Sequence, residues 1–185
     1  MIKTFGIAVV LLALGASIGA AQSVSAGHVE IPTVVPRAED VGSIDGMIRA
    51  WYDVITGPAG KPRQWARDKT LYIPDVRFVS TWIEGSSVQT RIRNHQTYVD
   101  ATDTEFVSKG FFEREIHRTT ERYGSIAHVW STYESRETEN GPVTARGINS
   151  IELFWDGKRW WIANGIWADE SKNSPIPPEY LPAAR

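Results

Sequence analysis

The chain has 185 residues, 42% of them hydrophobic and 23% charged, with a formal net charge of −2, no cysteine and eight tryptophans. Those figures fit one globular domain and exclude a disordered, collagen-like, disulfide-stapled or multi-pass membrane protein. Without cysteine there is no thiolate metal site, cysteine nucleophile or lipidated cysteine, and a near-neutral balance argues against nucleic acid, whose phosphates call for a basic surface.

Met1 to Lys3 is a short positive start, Phe5 to Leu14 an almost unbroken apolar run, and small residues follow around Gly19, Ala20 and Ala21. That order is a secretory signal peptide over residues 1–26, cleaved after Ala21 or Ala26, so the expectation is an exported protein, periplasmic or secreted, with no membrane anchor after cleavage. Residues 27–42, with Pro32 and Pro36, read as a linker. Ser43 can cap a helix whose apolar positions Ile44, Met47, Ile48, Trp51 and Ile55 follow helical spacing, stopped by Gly57 to Gly60. A second helix fits Gln64 to Leu71, and Pro74 and Asp75 turn the chain into a strand over Val76 to Ile83. Asn94 is the cap of a third helix through about Val107.

From Phe111 the period becomes two. Turn signals at Tyr123-Gly124, Asn140-Gly141 and Asp156-Gly157 divide Phe111 to Trp167 into four consecutive strands, and helices followed by strands indicate an α+β domain over residues 43–170. Residues 171–185 hold Pro175, Pro177, Pro178 and Pro182, so they form neither helix nor central strand and are expected to lie extended over the surface.

A two-residue loop at Asp156-Gly157 pairs Trp155 with Lys158, Leu153 with Trp160, Ile151 with Ile162 and Asn149 with Asn164. That face is the more apolar and reads as the inner one. The same count through the earlier turns brings Thr132, Trp130, His128, His117 and Glu115 to it. Trp161 and Trp167 then fall outward, where two large aromatics call for cover by a second copy through the sheet, a homodimer.

The helix holding Trp51-Tyr52, the helix ending in Leu71-Tyr72-Ile73-Pro74-Asp75, the strand Val76-Arg77-Phe78-Val79 and the closing Asp156-Gly157-Lys158-Arg159-Trp160-Trp161-Ile162 resemble the nuclear transport factor 2-like (NTF2-like) superfamily. More narrowly, Gly110-Phe111-Phe112-Glu113-Arg114-Glu115-Ile116-His117 and Ala127-His128-Val129-Trp130-Ser131-Thr132-Tyr133-Glu134 are similar to exported bacterial NTF2-like proteins of unknown function. The resemblance implies a cystatin-like cone, N-terminal helices packed on a curved, mainly antiparallel sheet. It leaves the reaction open, because this scaffold hosts enzymes, binding modules and assembly subunits. Against the superfamily's ketosteroid isomerases, Tyr52 stands at the oxyanion-hole tyrosine and Asn149 at the second donor. The general-base aspartate position falls at about Ser80, which cannot take a proton from carbon at neutral pH.

Three functions follow as expectations. In the first, the cone encloses a small organic molecule, with Tyr52, Asn149 and Asn164 fixing a carbonyl or hydroxyl group beside Glu115 and Thr132, and Trp82, Tyr98 and Trp130 as aromatic wall. In the second, a cofactor-independent isomerase, dehydratase or cyclase, His117 or His128 moves a proton. In the third the sheet face is an assembly surface and the cone is plain core. No tight metal-ligand motif appears. Lys61, Arg63, Arg67, Arg91 and Arg93 read as solvated charges.

Overall fold

A computed structural model describes residues 27–183; the expected signal peptide lies outside them. The helices are α1 (Ala38–Val41), α2 (Ile44–Asp53), α3 (Trp65–Lys69) and α4 (His95–Lys109). The strands are β1 (Tyr72–Glu84), β2 (Ser87–Arg93), β3 (Phe112–Tyr123), β4 (Ile126–Arg136), β5 (Ala145–Trp155) and β6 (Trp160–Asp169). They form one sheet in the order β2-β1-β6-β5-β4-β3, antiparallel throughout except where β1 runs parallel to β6. Among the described residues no helix is long and apolar enough to cross a membrane.

Local chemistry accounts for the helix starts. The Ser43 hydroxyl accepts the Gly46 N–H at 3.0 Å, supplying one of the partners that a first turn lacks. Asn94 and Thr97 cap α4 reciprocally, each side chain accepting the other's backbone N–H. Strand β2 was not among the expected elements. Its apolar residues Val88 and Ile92 face water, 71% and 65% exposed, so no buried stripe announces it.

The closing hairpin departs from the expected register for a visible reason. The Asp156 carboxylate accepts the N–H groups of Lys158 and Arg159 at 2.8 and 2.9 Å, making residues 156–159 a four-residue loop, and Trp155 pairs with Trp160 instead of Lys158. Those bonds and the Trp161 indole N–H, which contributes most, hold the Asp156 carboxyl down at about 2. A bulge at Ala163 then reverses the phase of β6: Leu153 pairs with Ile162, but Glu152 pairs with Asn164. Asn164 is thereby turned to the outer face, and Gly165, Trp167 and Asp169 to the inner one.

Gly165 is required where it stands, because a Cβ there would lie 2.6 Å from the Trp51 ring. Gly165→Ala is expected to cost about 1 to 3 kcal/mol by overpacking. Urea unfolding checks it, and a variant as stable as the parent would mean that Trp51 moves aside freely.

The middle hairpin is off by one residue. Ser135 and Ala145 form its closing pair, leaving residues 136–144 between them, and Ser131 stands opposite Asn149. Ala127, Val129, Ser131 and Tyr133 are therefore inside, and His128, Trp130 and Thr132 outside. Strand β3 turns at Gly124 and Ser125 and carries a bulge at Ile116, which puts Arg118, Glu115 and Glu113 inside and His117 outside, opposite Thr132. Glu115 reaches the inner face as expected, but by a shift and a bulge that offset one another.

The outer face is covered in part by the chain's own tail. Thr132 is fully buried there and donates to the Tyr180 carbonyl at 2.6 Å, while the Tyr180 ring lies 5.7 Å from Trp130. The outward pair of indoles is corrected as well. Trp167 packs inside against Phe78 and Tyr98, and Trp161, though outward, lies under the Arg159 guanidinium at 3.7 Å. Two of the supposed solvated charges are tied into the fold: buried Arg63 donates to the carbonyls of Gly57 and Phe106, and Arg67 grips Asp40.

Candidate functional site

Between α2, α4 and the inner sheet face lies a cavity of about 290 Å³. Its apolar wall is built from every layer: Trp51 from α2, Phe78 from β1, Tyr98 and Phe106 from α4, Trp167 from β6. Helical spacing puts Tyr98, Thr102 and Phe106 on one stripe of α4. The rings meet edge to face, Phe78 against Tyr98 at 5.1 Å and against Trp51 at 6.0 Å, which fixes the wall without filling the space.

Polar groups interrupt that wall, among them Arg93, Glu113, Asn149 and Asp169. The Glu113 backbone is clamped on both sides by the Thr56 hydroxyl, which donates to its carbonyl and accepts its N–H, each at 3.1 Å. Burial, and then the nearby Asp169 charge, push the Glu113 carboxyl up to about 8. Asp169 accepts the Tyr133 hydroxyl, whose own ionisation is driven upward by burial and then by Asp169. The cavity thus holds two carboxyl groups, one protonated at neutral pH.

Beneath it runs a polarised chain. The Glu115 carboxylate, held by both arms of Arg118 at 2.8 and 2.6 Å, can only accept, so Ser131 donates to it at 2.5 Å. Ser131 then accepts the Tyr52 hydroxyl at 2.6 Å, and the Tyr52 oxygen accepts the Asn149 amide at 3.0 Å. The Tyr52 proton is committed to Ser131 and is not a free donor for a ligand. Burial foremost raises the Tyr52 ionisation far above its ordinary range.

Of the residues expected at the site, Tyr98 and Asn149 line the cavity, and Tyr52 and Glu115 support it from below. Ser80 lines it too. Trp82 shares the face of Phe78 but sits near the β1–β2 turn, stacked with Arg91 at 5.0 Å. His117, His128, Trp130, Thr132 and Asn164 are on the opposite face, for the register reasons given above. His128 bonds Ser150 there at 3.0 Å. Among the described residues no group of 3 or more His, Asp and Glu side chains is placed to hold a metal ion.

Glu113, Asp169 and Arg93 were missed. Glu113 could have been found, since alternation places it on the face of Glu115, two residues on. Asp169 could not, because the Ala163 bulge that turns it inward leaves no mark in the composition of β6.

No family model and no curated protein matches the chain. Among solved structures it is similar to a domain of unknown function with a cystatin-like fold from Nostoc punctiforme, 9% identical, covering 78% of this chain and 82% of that one with a TM-score of 0.52. The fold is cystatin-like. The cystatin-like chain is also similar to an NTF2-like protein of unknown function from Methylobacillus flagellatus, 15% identical over 70% of this chain and 95% of that one, TM-score 0.44. A third similar structure is an NTF2-like protein of unknown function from Shewanella baltica, 7% identical over 68% and 88%, TM-score 0.45. The cystatin-like cone, α+β with its helices over a curved sheet, is the architecture that the sequence resemblance implies.

Proposed function

We propose that the protein is exported and binds a small organic molecule inside the cone, between the aromatic wall and the Glu113–Asp169 pair. The observation that supports this reading is an aromatic-lined cavity of about 290 Å³ carrying a few convergent polar groups, close to the lower bound of roughly 300 Å³ for ligand pockets. Trp51, Phe78 and Trp167 strip water from the ligand. The protonated Glu113 donates to its carbonyl or hydroxyl oxygen, and Asn149 offers the amide N–H that Tyr52 does not use. Export rests on the leader-like order of residues 1–26. Pairing of two copies through the sheet belongs to the same proposal and now rests on the outward apolar strip of Ile83, Val88, Ile92 and Ile166, not on indoles.

Native mass spectrometry of the protein isolated from the cells that make it tests all three parts at once. The expected spectrum shows a chain shortened by 21 or 26 residues, in pairs, with a small-molecule adduct lost on collisional heating. A chain of full mass, a monomer, or an unliganded species that takes up nothing from a metabolite extract sinks the corresponding part.

A second reading, an isomerase, dehydratase or cyclase, is favoured by one observation: an acid held near 8 gives and takes protons at physiological pH, which a proton-transfer group must do. Glu113 takes that role here in place of the outward histidines. Deuterium uptake from D2O into the adduct's carbon-bound positions, abolished in Glu113→Gln with binding retained, is the expected result. Equal uptake in the variant would remove Glu113 from the role.

A further inference from the structure

The cavity is unlike at its two ends. Arg93 closes β2 and Glu113 is the second residue of β3, the two edge strands of the sheet, and both face the same space. The stripe of α4 between them, Tyr98 to Phe106, is about 12 Å long at 1.5 Å per residue. Glu113 lies near the Asp169 charge, whereas the charge that reaches Arg93 is that of Arg91, of like sign. No carboxylate among the described residues pairs with Arg93, and burial depresses its basicity. A guanidinium in that position is partly dehydrated and uncompensated, which is unfavourable until an anion meets it. Carboxylate is the partner whose geometry its fork matches.

We propose that the cavity selects slender monocarboxylic acids with an apolar body, the carboxylate paired with Arg93 and the distal oxygen hydrogen-bonded at Glu113. This rests on the reading of the cone as a small-molecule site and names the class of molecule it takes. A ligand carboxylate at the opposite end would meet Asp169, so the two ends also fix its direction.

The test is a set of phenyl, cyclohexyl and linear acids that carry a distal hydroxyl or carbonyl, 3-(4-hydroxyphenyl)propionate among them, each compared with its primary amide. Binding to the full chain at pH 7 is followed by calorimetry and by the change in tryptophan emission, Trp51 and Trp167 being the indoles that line the cavity. The acids are expected to bind roughly tenfold or more tightly than their amides, the scale of a hydrogen bond to a charged group. Arg93→Gln is expected to weaken the acids alone and erase the preference, and Arg93→Lys, which keeps the charge without the fork, to retain part of it. Amides binding as well as acids, or a preference that survives Arg93→Gln, would overturn the inference while leaving the pocket standing. A chain that takes up neither acids nor amides overturns the pocket reading and this inference together.

Discussion

Raising the pH from 4.5 to about 8 is expected to strip stability from the chain at up to about 1.4 kcal/mol per unit, and Glu113→Gln to abolish that slope. The sign follows from the direction of the shift. Burial raises the Glu113 carboxyl from 4.5 to about 8, so across that window the native state holds a proton that the unfolded chain has already released. The unfolded state binds fewer protons, and stability falls as pH rises. The loss is complete above about 8 and, allowing for water that enters the cavity, sums to the order of a few kcal/mol. Glutamine has the same shape and no titration. Parent and variant should therefore be equally stable in acid and diverge towards alkaline pH, the variant becoming the more stable. Urea unfolding at unit steps of pH measures this, and parallel curves for the two proteins would show that Glu113 is not buried against its charge.

Asp40→Ala is expected to cost about 3 to 5 kcal/mol, the scale of a buried ion pair broken on one side. Asp40 is 0% exposed and accepts both arms of Arg67 at 2.7 Å, tying α1 to α3 across the start of the chain. The Arg67 hydrogen bond holds the Asp40 carboxyl below its ordinary 3.8. Its contribution is thus present above that value and disappears as pH falls through the lowered one, opposite in sense to Glu113. Removing the carboxylate leaves Arg67, its side chain 12% exposed, with the neutral Gln64 oxygen at 3.2 Å and the more distant Asp53 carboxylate at 3.7 Å. Asp40→Leu combined with Arg67→Met should recover most of the loss, because a dry pair replaced by packed hydrocarbon is close to neutral. A single variant within about 1 kcal/mol of the parent would mean that the pair contributes little.

The two candidate sets for the site differ through small geometric events. Asn149, Ile151 and Leu153 were placed inside correctly because their strand alternates cleanly and its other face carries Glu152. His128, Trp130 and Thr132 were placed inside wrongly because nine residues, 136–144, separate the paired Ser135 and Ala145 where two were assumed, and that odd difference shifts the register by one residue, which inverts a strand. Composition offered no protection: Trp130 is as apolar as any core residue, and the tail that gives it an outer partner in Tyr180 is remote in sequence. Arg93 and Arg67 were read as solvated because charge alone does not reveal whether a cavity or a buried carboxylate lies alongside.

What the sequence determined by itself were the features that depend on near neighbours. Helix caps at Ser43 and Asn94, the change of period at Phe111, the turn glycines and the resulting α+β order all follow from local hydrogen bonding and from the alternation of hydrocarbon with polar groups. What tertiary structure alone decided is which carboxyl groups share the cavity. The bulges at Ile116 and Ala163 each insert one residue between paired strands, and that insertion has no compositional signature. It turns Glu113 and Asp169 towards the same cavity, while the register of the β4–β5 hairpin, carried on into β3, leaves His128 and His117 facing away from it.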